Sequence, residues 1–253
     1  MSLWCNTKSD FPGINRNWRF NPEGSFVAHF YVTYMTYLSK AFAPILFSML
    51  ALAAGNSVAG RPMAVDDANT NDAGSGHVEV FFHRHPGEVN TWTISPAYGV
   101  IDGVEISASF NRDTTNDVNT TGIQAKIRLS PSKEDGCNFA TSFGLSEPNT
   151  PGAGSSKFIN GLMTCNMDEA GSVHLNLGLV NPSVGANTGV WGLAYERGFG
   201  AVTAHVEVFG AENVLPTVQF GLRTMLGKNL QLDGSIGSTN GESIYSVGFK
   251  VLF

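Results

Sequence analysis

A two-residue alternation is the feature that most constrains the fold of this chain. In the last eleven residues, Ser243–Phe253, large apolar side chains occupy every second position, with Ser246, Gly248 and Lys250 between them. This period places the two sets of side chains on opposite faces of a β-strand. The same alternation recurs from Gly76 onward, in segments that turns separate. The sequence therefore predicts an all-β chain of about twelve antiparallel strands.

The predicted strands have the length that crosses a bilayer, which is roughly nine to eleven tilted residues. The turns at one end are mostly tight, whereas Asn111–Thr121, Ser146–Ser156 and Asn181–Thr188 form longer loops at the other. Short inner turns and long outer loops are typical of outer-membrane barrels. The twelve predicted segments are His77–His85, Asn90–Tyr98, Val104–Phe110, Gly122–Leu129, Cys137–Leu145, Lys157–Met167, Val173–Leu179, Val190–Glu196, Ala201–Phe209, Val214–Leu226, Leu230–Gly237 and Ser243–Phe253.

Alternation alone fits either a water-soluble sandwich, with its large side chains inside, or a transmembrane barrel, with those side chains facing lipid. The terminal strand resembles the ending that the assembly machinery of bacterial outer-membrane β-barrels reads, and Tyr245, Phe249, Val251 and Phe253 carry this resemblance. Lipid cannot satisfy backbone polar groups, so the first strand must pair with the last. We predict a transmembrane up-and-down β-barrel in the bacterial outer membrane.

The N-terminal region predicts secretion. Lys40 precedes an apolar run, Ala41–Ala54, and small residues at Ser57 and Ala59 suit a cleavage site before Gly60. The alternative is a retained membrane anchor, although the run is short for a span and Pro44 interrupts it. We expect an upstream mis-start extension at 1–34, a cleavable signal peptide at 35–59, a periplasmic leader at 60–75 that could tuck into the barrel mouth, and the barrel at 76–253.

Composition excludes several classes of function. Only 14% of the residues are charged and the formal net charge is −6, which argues against nucleic acid as a partner. The three cysteines form no Cys/His cluster, so we expect no metal or cofactor. Asp67, Asn69 and Asn71 have the one-three-five spacing of a calcium loop. The positions that would need Gly and Glu hold Asp72 and Val78, so a capped, solvated turn is favoured.

Charged residues of both signs fall on the polar faces of the predicted strands. They would either form cross-strand ion pairs that brace the barrel or line a solute path. In the second case Lys126, Arg128 and Arg223 would attract anions, which Glu207 and Asp233 would temper. The candidate lumen-lining residues are Glu79, Glu105, Lys126, Arg128, His174, Glu196, His205, Glu207, Arg223, Asp233 and Lys250.

Enzymatic activity has weaker support. His174 and His205 are candidate bases, and Ser235 and Ser246 are candidate nucleophiles, but no nucleophile motif accompanies them. We therefore expect no catalytic residues. His83 and His85, near an outer loop, fit surface histidines better than metal ligands.

Two cysteines lie symmetrically about a predicted loop. Cys137 and Cys165 would face each other in an antiparallel hairpin centred near Pro151. The periplasm permits disulfides, and directly opposed strand residues approach closely enough to form one. They are either bridged or two small reduced side chains.

The segment Arg61–Glu79 resembles the start of uncharacterised outer-membrane proteins similar to the phenol meta-pathway outer-membrane family, which is distantly grouped with hydrophobic-compound transporters. The resemblance implies a barrel that admits small aromatic or apolar compounds. We expect a channel or transporter whose partners are outer-membrane lipid, the assembly machinery and a small solute. The alternatives are a structural or surface-interaction barrel without transport and, less favoured, a lipid-modifying enzyme.

Overall fold

The computed structural model describes residues 63–253, so the predicted extension and signal peptide lie outside the described residues. Twelve strands follow one another in this part of the chain, with single short turns of 3-10 helix at Pro86–Glu88 and Asp168–Ala170. Within residues 63–253, no helix is both long enough and apolar enough to cross a membrane. The strands are β1 Gly76–Arg84, β2 Asn90–Ile101, β3 Val104–Asp113, β4 Val118–Arg128, β5 Gly136–Pro148, β6 Ser156–Asn166, β7 Ser172–Pro182, β8 Thr188–Phe199, β9 Val202–Ala211, β10 Thr217–Leu226, β11 Leu230–Thr239 and β12 Glu242–Leu252.

The sheet closes on itself. Each strand pairs antiparallel with its neighbours in sequence, and β1 pairs with β12, with Val80 opposite Phe249. Gly76 and Phe253 also exchange backbone hydrogen bonds of 2.8 and 2.9 Å where the two strands meet. Closure leaves no open sheet edge, as a lipid-spanning sheet requires. The prediction of a twelve-stranded up-and-down barrel is confirmed. We call the end that holds Gly76 and Phe253 the inner end.

The large apolar side chains face outward. Leu177, Phe220 and Phe249 are 60%, 48% and 39% exposed, so they form no sandwich core. Polar side chains such as His174 and Glu207 are almost fully enclosed. This distribution of side chains is the reverse of that in a water-soluble protein. An apolar surface of this extent is stable only against acyl chains. The protein is therefore an outer-membrane-type β-barrel.

The strands run further than the alternation indicated. The predicted loop Asn111–Thr121 contains only a short turn, because Asn111–Asp113 still pairs with Val118–Thr120. The two other long loops shorten to residues 149–155 and 183–187. Backbone pairing continues beyond the apolar band, where side chains no longer need to alternate. The outer loops are therefore too short to fold deeply into the barrel.

One covalent link joins adjacent strands. Cys137 in β5 lies directly opposite Cys165 in β6, and the two form a disulfide near the inner end.

Candidate functional site

The part of the leader that the structure describes, Met63–Ser75, lies inside the lumen. Val65 and Ala68 are 2% and 0% exposed. The C-terminal end of the leader lies at the inner end of the barrel, beside β1. There Gly74 donates to the Gly99 carbonyl and Gly99 donates to that of Ser75, both at 2.9 Å. From there toward its N-terminus, the leader crosses to the opposite wall. The described part of the leader thus lies deeper in the lumen than the two positions that the sequence suggested, the periplasmic side and the barrel mouth.

The N-terminal end of the described leader binds a carboxylate on β9. The backbone N–H groups of Ala64 and Val65 donate to Glu207 at 2.8 to 3.1 Å. Gln219 on β10 donates to the same carboxylate at 2.6 Å. Hydrogen bonds to a charged acceptor are stronger than neutral ones. Glu207 therefore anchors the leader to the wall opposite its point of entry.

The middle of the leader pairs with β4 and β7. Asn176 Oδ1 accepts the Asp66 N–H, and its Nδ2 donates to the Asp66 carbonyl, both at 2.7 Å. Lys126 Nζ lies 2.8 Å from Asp66 Oδ1 and 3.2 Å from the Asp67 carbonyl. Asn176 therefore satisfies both polar backbone groups of Asp66, as buried peptide groups require, while Lys126 bonds the Asp66 carboxylate and the Asp67 carbonyl.

Two further wall side chains complete the anchoring. Thr164 Oγ1 accepts the Ala68 N–H at 2.9 Å, and Glu105 accepts the Asn71 N–H at 2.9 Å. Ala68 packs against Ala140 and Leu162, which are also buried. The leader is therefore bonded to walls all round the barrel and fills the inner part of the lumen.

Glycines in the wall make room for the leader. A Cβ on Gly99 would lie 2.3 Å from the Asp72 carbonyl oxygen, and a Cβ on Gly192 would lie 2.7 Å from a Val65 methyl. Neither approach is tolerable for a real side chain. The wall of the barrel is therefore shaped around the docked leader.

Asp67 does not form a solvated turn. Its Oδ1 accepts the Asn69 N–H at 2.6 Å, which caps a local turn, but the residue is only 3% exposed. Burial raises the pKa of Asp67, although the nearby charge of Lys126 opposes this shift. Within residues 63–253, no cluster of His, Cys, Asp or Glu has metal-binding geometry.

The cations that face the lumen are paired. Lys126 pairs with Asp66, Lys250 with Glu79 at 2.8 Å, Arg128 with Asp102 at 2.7 Å, and Arg223 with Glu196. Of the predicted residues, Glu79 and Arg128 are half-buried at inward positions of β1 and β4. The others are buried: Glu105, Lys126, His174, Glu196, His205, Glu207, Arg223, Asp233 and Lys250. Pairing removes the bare positive path that would attract anions.

The candidate bases lie beside groups other than the candidate serines. His174 Nδ1 lies 2.9 Å from Thr164 Oγ1, and its Nε2 lies 3.4 Å from Glu196. His205 forms no hydrogen bond through either ring nitrogen within residues 63–253, and its Nε2 lies 3.5 Å from Glu207. Ser235 and Ser246 bond to each other at 2.8 Å. Within the described residues, neither pairing places a base on a nucleophile.

At the outer rim, the His83 and His85 rings stack with centroids 3.9 Å apart, and His85 also lies 2.9 Å from Thr91 Oγ1. Burial lowers the pKa of His85, which favours its neutral form. The two rings stabilise the end of β1 where it enters the first outer turn.

Above the leader lies a cavity of about 710 Å³, which we call the outer cavity. Leader residues Val65–Asp67 form part of its lining, and the wall reaches Asn111 and Ser156 at the outer ends of β3 and β6. Its upper wall includes Phe81 and Phe158. Sequence reasoning missed these two inward aromatic residues, although their places in the alternation of β1 and β6 predict their direction.

A family model described as "Uncharacterised conserved protein UCP029691" matches residues 46–248. The chain belongs to this family. No curated protein matches the sequence. The resemblance to the phenol meta-pathway family therefore stays a prediction.

Two solved barrels resemble the structure. The KdgM porin, also solved in complex with disordered oligogalacturonate, aligns with a TM-score of 0.60 at 13% identity, covering 71% of this chain and 99% of that one. The Acinetobacter baumannii outer membrane protein Omp33 aligns with a TM-score of 0.51 at 9% identity, covering 71% and 98%. At such identities the likeness concerns the fold, and it supports the outer-membrane β-barrel.

Proposed function

We propose that this protein is an outer-membrane channel or transporter for small molecules, with its pathway closed by the leader in the described conformation. The observation that carries the proposal is the relation between the leader and the outer cavity. The leader is a separate segment held in the lumen by non-covalent bonds, and above it lies a cavity that reaches the outer ends of the strands. Moving one short segment would join this cavity to the inner end.

The fold agrees with this proposal. Twelve strands lie between small barrels filled by side chains and open porins of sixteen or more strands. A lumen of this width holds one extended segment and leaves a cavity beside it. One of the similar solved barrels is a porin that was solved with oligogalacturonate. The small aromatic or apolar solutes that the family resemblance implies would find apolar surface at Phe81 and Phe158.

The decisive experiment measures conductance in planar bilayers. We expect the wild-type barrel to stay mostly closed. Gly99→Val combined with Gly192→Val should displace the leader, because both added side chains occupy its place. Channel openings should then rise at least tenfold.

Gly198→Val is the matched control on β8, because a Cβ there meets nothing within 4 Å. It should behave as the wild type. Heat-modifiable gel migration verifies that each variant still forms a closed barrel. A folded double variant that remains closed would contradict the proposal.

The second candidate is a structural or surface-interaction barrel without transport. The dense hydrogen bonding of the leader favours it, because a permanent filling would brace the wall. This candidate predicts no flux in liposomes even after the leader is displaced. We further propose that outer-membrane lipid surrounds the barrel, and that the assembly machinery reads the terminal strand through Tyr245, Phe249, Val251 and Phe253.

A further inference from the structure

The outer cavity contains two amide side chains that have no hydrogen-bond partner in the described part of the chain. Gln124 on β4 and Asn160 on β6 both line it and are half-buried. Within residues 63–253, neither side chain forms a hydrogen bond, whereas the nearby Gln219 amide donates to Glu207. Each amide offers two donors and an acceptor. Such groups in a cavity wall are available to a ligand or to water.

An aromatic ring lies between these amides. Gln124, Gly144 and Phe158 are directly opposed on β4, β5 and β6, and Asn160 follows Phe158 on the same face of β6. Strands are about 4.8 Å apart, so Gln124 and Phe158 lie roughly 10 Å apart along the sheet. The ring fills the intervening space, since its Cζ lies 2.8 Å from where a Cβ on Gly144 would be. Gly144 therefore lets the ring lie against the wall.

The Asn160 side chain packs over a second inward glycine. Its Oδ1 lies over Gly178 of β7, 1.7 Å from where a Cβ would be. A side chain at position 178 would push the amide away. Two inward glycines thus hold Phe158 and Asn160 in their orientations, which is the local pre-organisation expected of a binding site.

The charged groups of the lining are bonded within the protein. Besides two ion pairs, Asp67 accepts the Asn69 N–H and Glu105 accepts the Asn71 N–H. Lys126 and Lys250, the lysines of the lining, pair with Asp66 and Glu79. An acidic solute would have to compete with these carboxylates for both cations. A ring with one hydroxyl group could satisfy only one of the two amides, and the other would stay unpaired. A solute with several hydroxyls around a ring satisfies both.

We propose that the outer cavity binds uncharged, polyhydroxylated ring compounds, of which neutral saccharides are the natural class. The apolar C–H face of such a ring packs on Phe158, while its hydroxyls bond to Gln124 and Asn160. The inference names the solute class of the proposed pathway and so rests on the proposed function. The volume of about 710 Å³ is within the range of small-molecule sites.

The test is equilibrium binding to the full chain, folded in detergent, by titration calorimetry with maltose, digalacturonate and phenol as probes. We expect saturable binding of maltose, with weaker binding of digalacturonate and phenol. Gln124→Leu and Asn160→Leu should each weaken maltose binding about tenfold, since each removes a pair of hydrogen bonds. Asn119→Leu, an exposed amide on β4 outside the cavity, should leave it unchanged.

Three outcomes would overturn the inference: no saturable binding of maltose, unchanged affinity in the two leucine variants, or tighter binding of phenol or digalacturonate than of maltose. Heat-modifiable migration excludes misfolding as a cause. Binding requires no conduction, so the two proposals fail separately. Maltose binding by a barrel that never conducts would refute only the channel, and conduction without maltose binding would refute only the solute class.

Discussion

The lumen has two halves of different chemistry. In the inner half, charged wall residues such as Glu207, and Lys126 at the boundary with the outer cavity, bond to the leader and leave little space. In the outer half, the amides of Gln124 and Asn160 flank an aromatic ring, and a cavity remains. Charges that are paired across a gap hold a segment in place, whereas amides without a partner among the described residues are available to a ligand or to water. The proposals therefore give the inner half the role of closing the path and the outer half that of binding a solute.

The largest effect is expected from preventing movement of the leader, because the proposed role of the inner half depends on that movement. Val65 Cβ lies 3.6 Å from where a Cβ on Gly192 would be, which is close to the separation in a disulfide. Val65→Cys with Gly192→Cys should therefore lock the leader and abolish the residual channel openings under oxidising conditions. A reductant should restore these openings. The Val65→Cys single variant, which leaves Gly192 unchanged, controls for reduction of the native bridge.

Conductance that persists in the oxidised double variant, with the cross-link verified by mass spectrometry, would show that the leader does not close the path. That result would leave the inner half without its proposed role.

The native disulfide braces the inner half alone. Cys137→Ala with Cys165→Ala removes a cross-link between residues 28 apart in sequence, which should lower the free energy of unfolding by about 3 kcal/mol. Urea titration of the heat-modifiable gel band measures this loss. Maltose binding in the outer cavity should stay the same in folded protein. A parallel loss of maltose affinity would show that the two halves are not independent.

The ion pair of the leader should contribute less. Lys126→Met leaves Asp66 and its neighbouring carboxylates without their cation, which we expect to weaken docking by about 2 kcal/mol. The undocked fraction then rises about thirtyfold. Maleimide labelling of a Val65→Cys reporter measures this fraction, because the side chain is buried only when the leader is docked.

Lys157→Met is the matched control, since this lysine is exposed on β6. Equal labelling rates in the two lysine variants would remove Lys126 from the docking interaction.

Sequence periodicity was sufficient for the fold, because the side chains of each strand must alternate between lipid and lumen. Leu177, Phe220 and Phe249 therefore face outward as expected. Loop lengths were less predictable, since paired backbone at Asn111–Asp113 carries no apolar alternation. The alternation applies only to residues in strands. It therefore gives no information on how a polar, non-strand segment such as Met63–Ser75 is bound.

The sequence could not predict which wall residues bind the leader, for a physical reason. Asn176 and Thr164 lie about 100 residues from the leader positions that they bond, and only barrel closure brings them together. Inward glycines such as Gly99 and Gly192 were the available signal. A glycine at an inward strand position marks a place where another group approaches the backbone closely.

The smallest effect should come from a single wall hydroxyl. Thr164→Val keeps the shape of the side chain but leaves the Ala68 N–H without its acceptor, and it removes the bond to His174. A lost hydrogen bond of this kind weakens docking by about 1 kcal/mol, so labelling of Val65→Cys should rise about fivefold. Ser235→Ala is the control, because its hydroxyl bonds to Ser246 and not to the leader. If both variants label at the same rate, the Thr164 hydroxyl does not contribute to docking, and the leader is held by the charged residues and by the Asn176 amide.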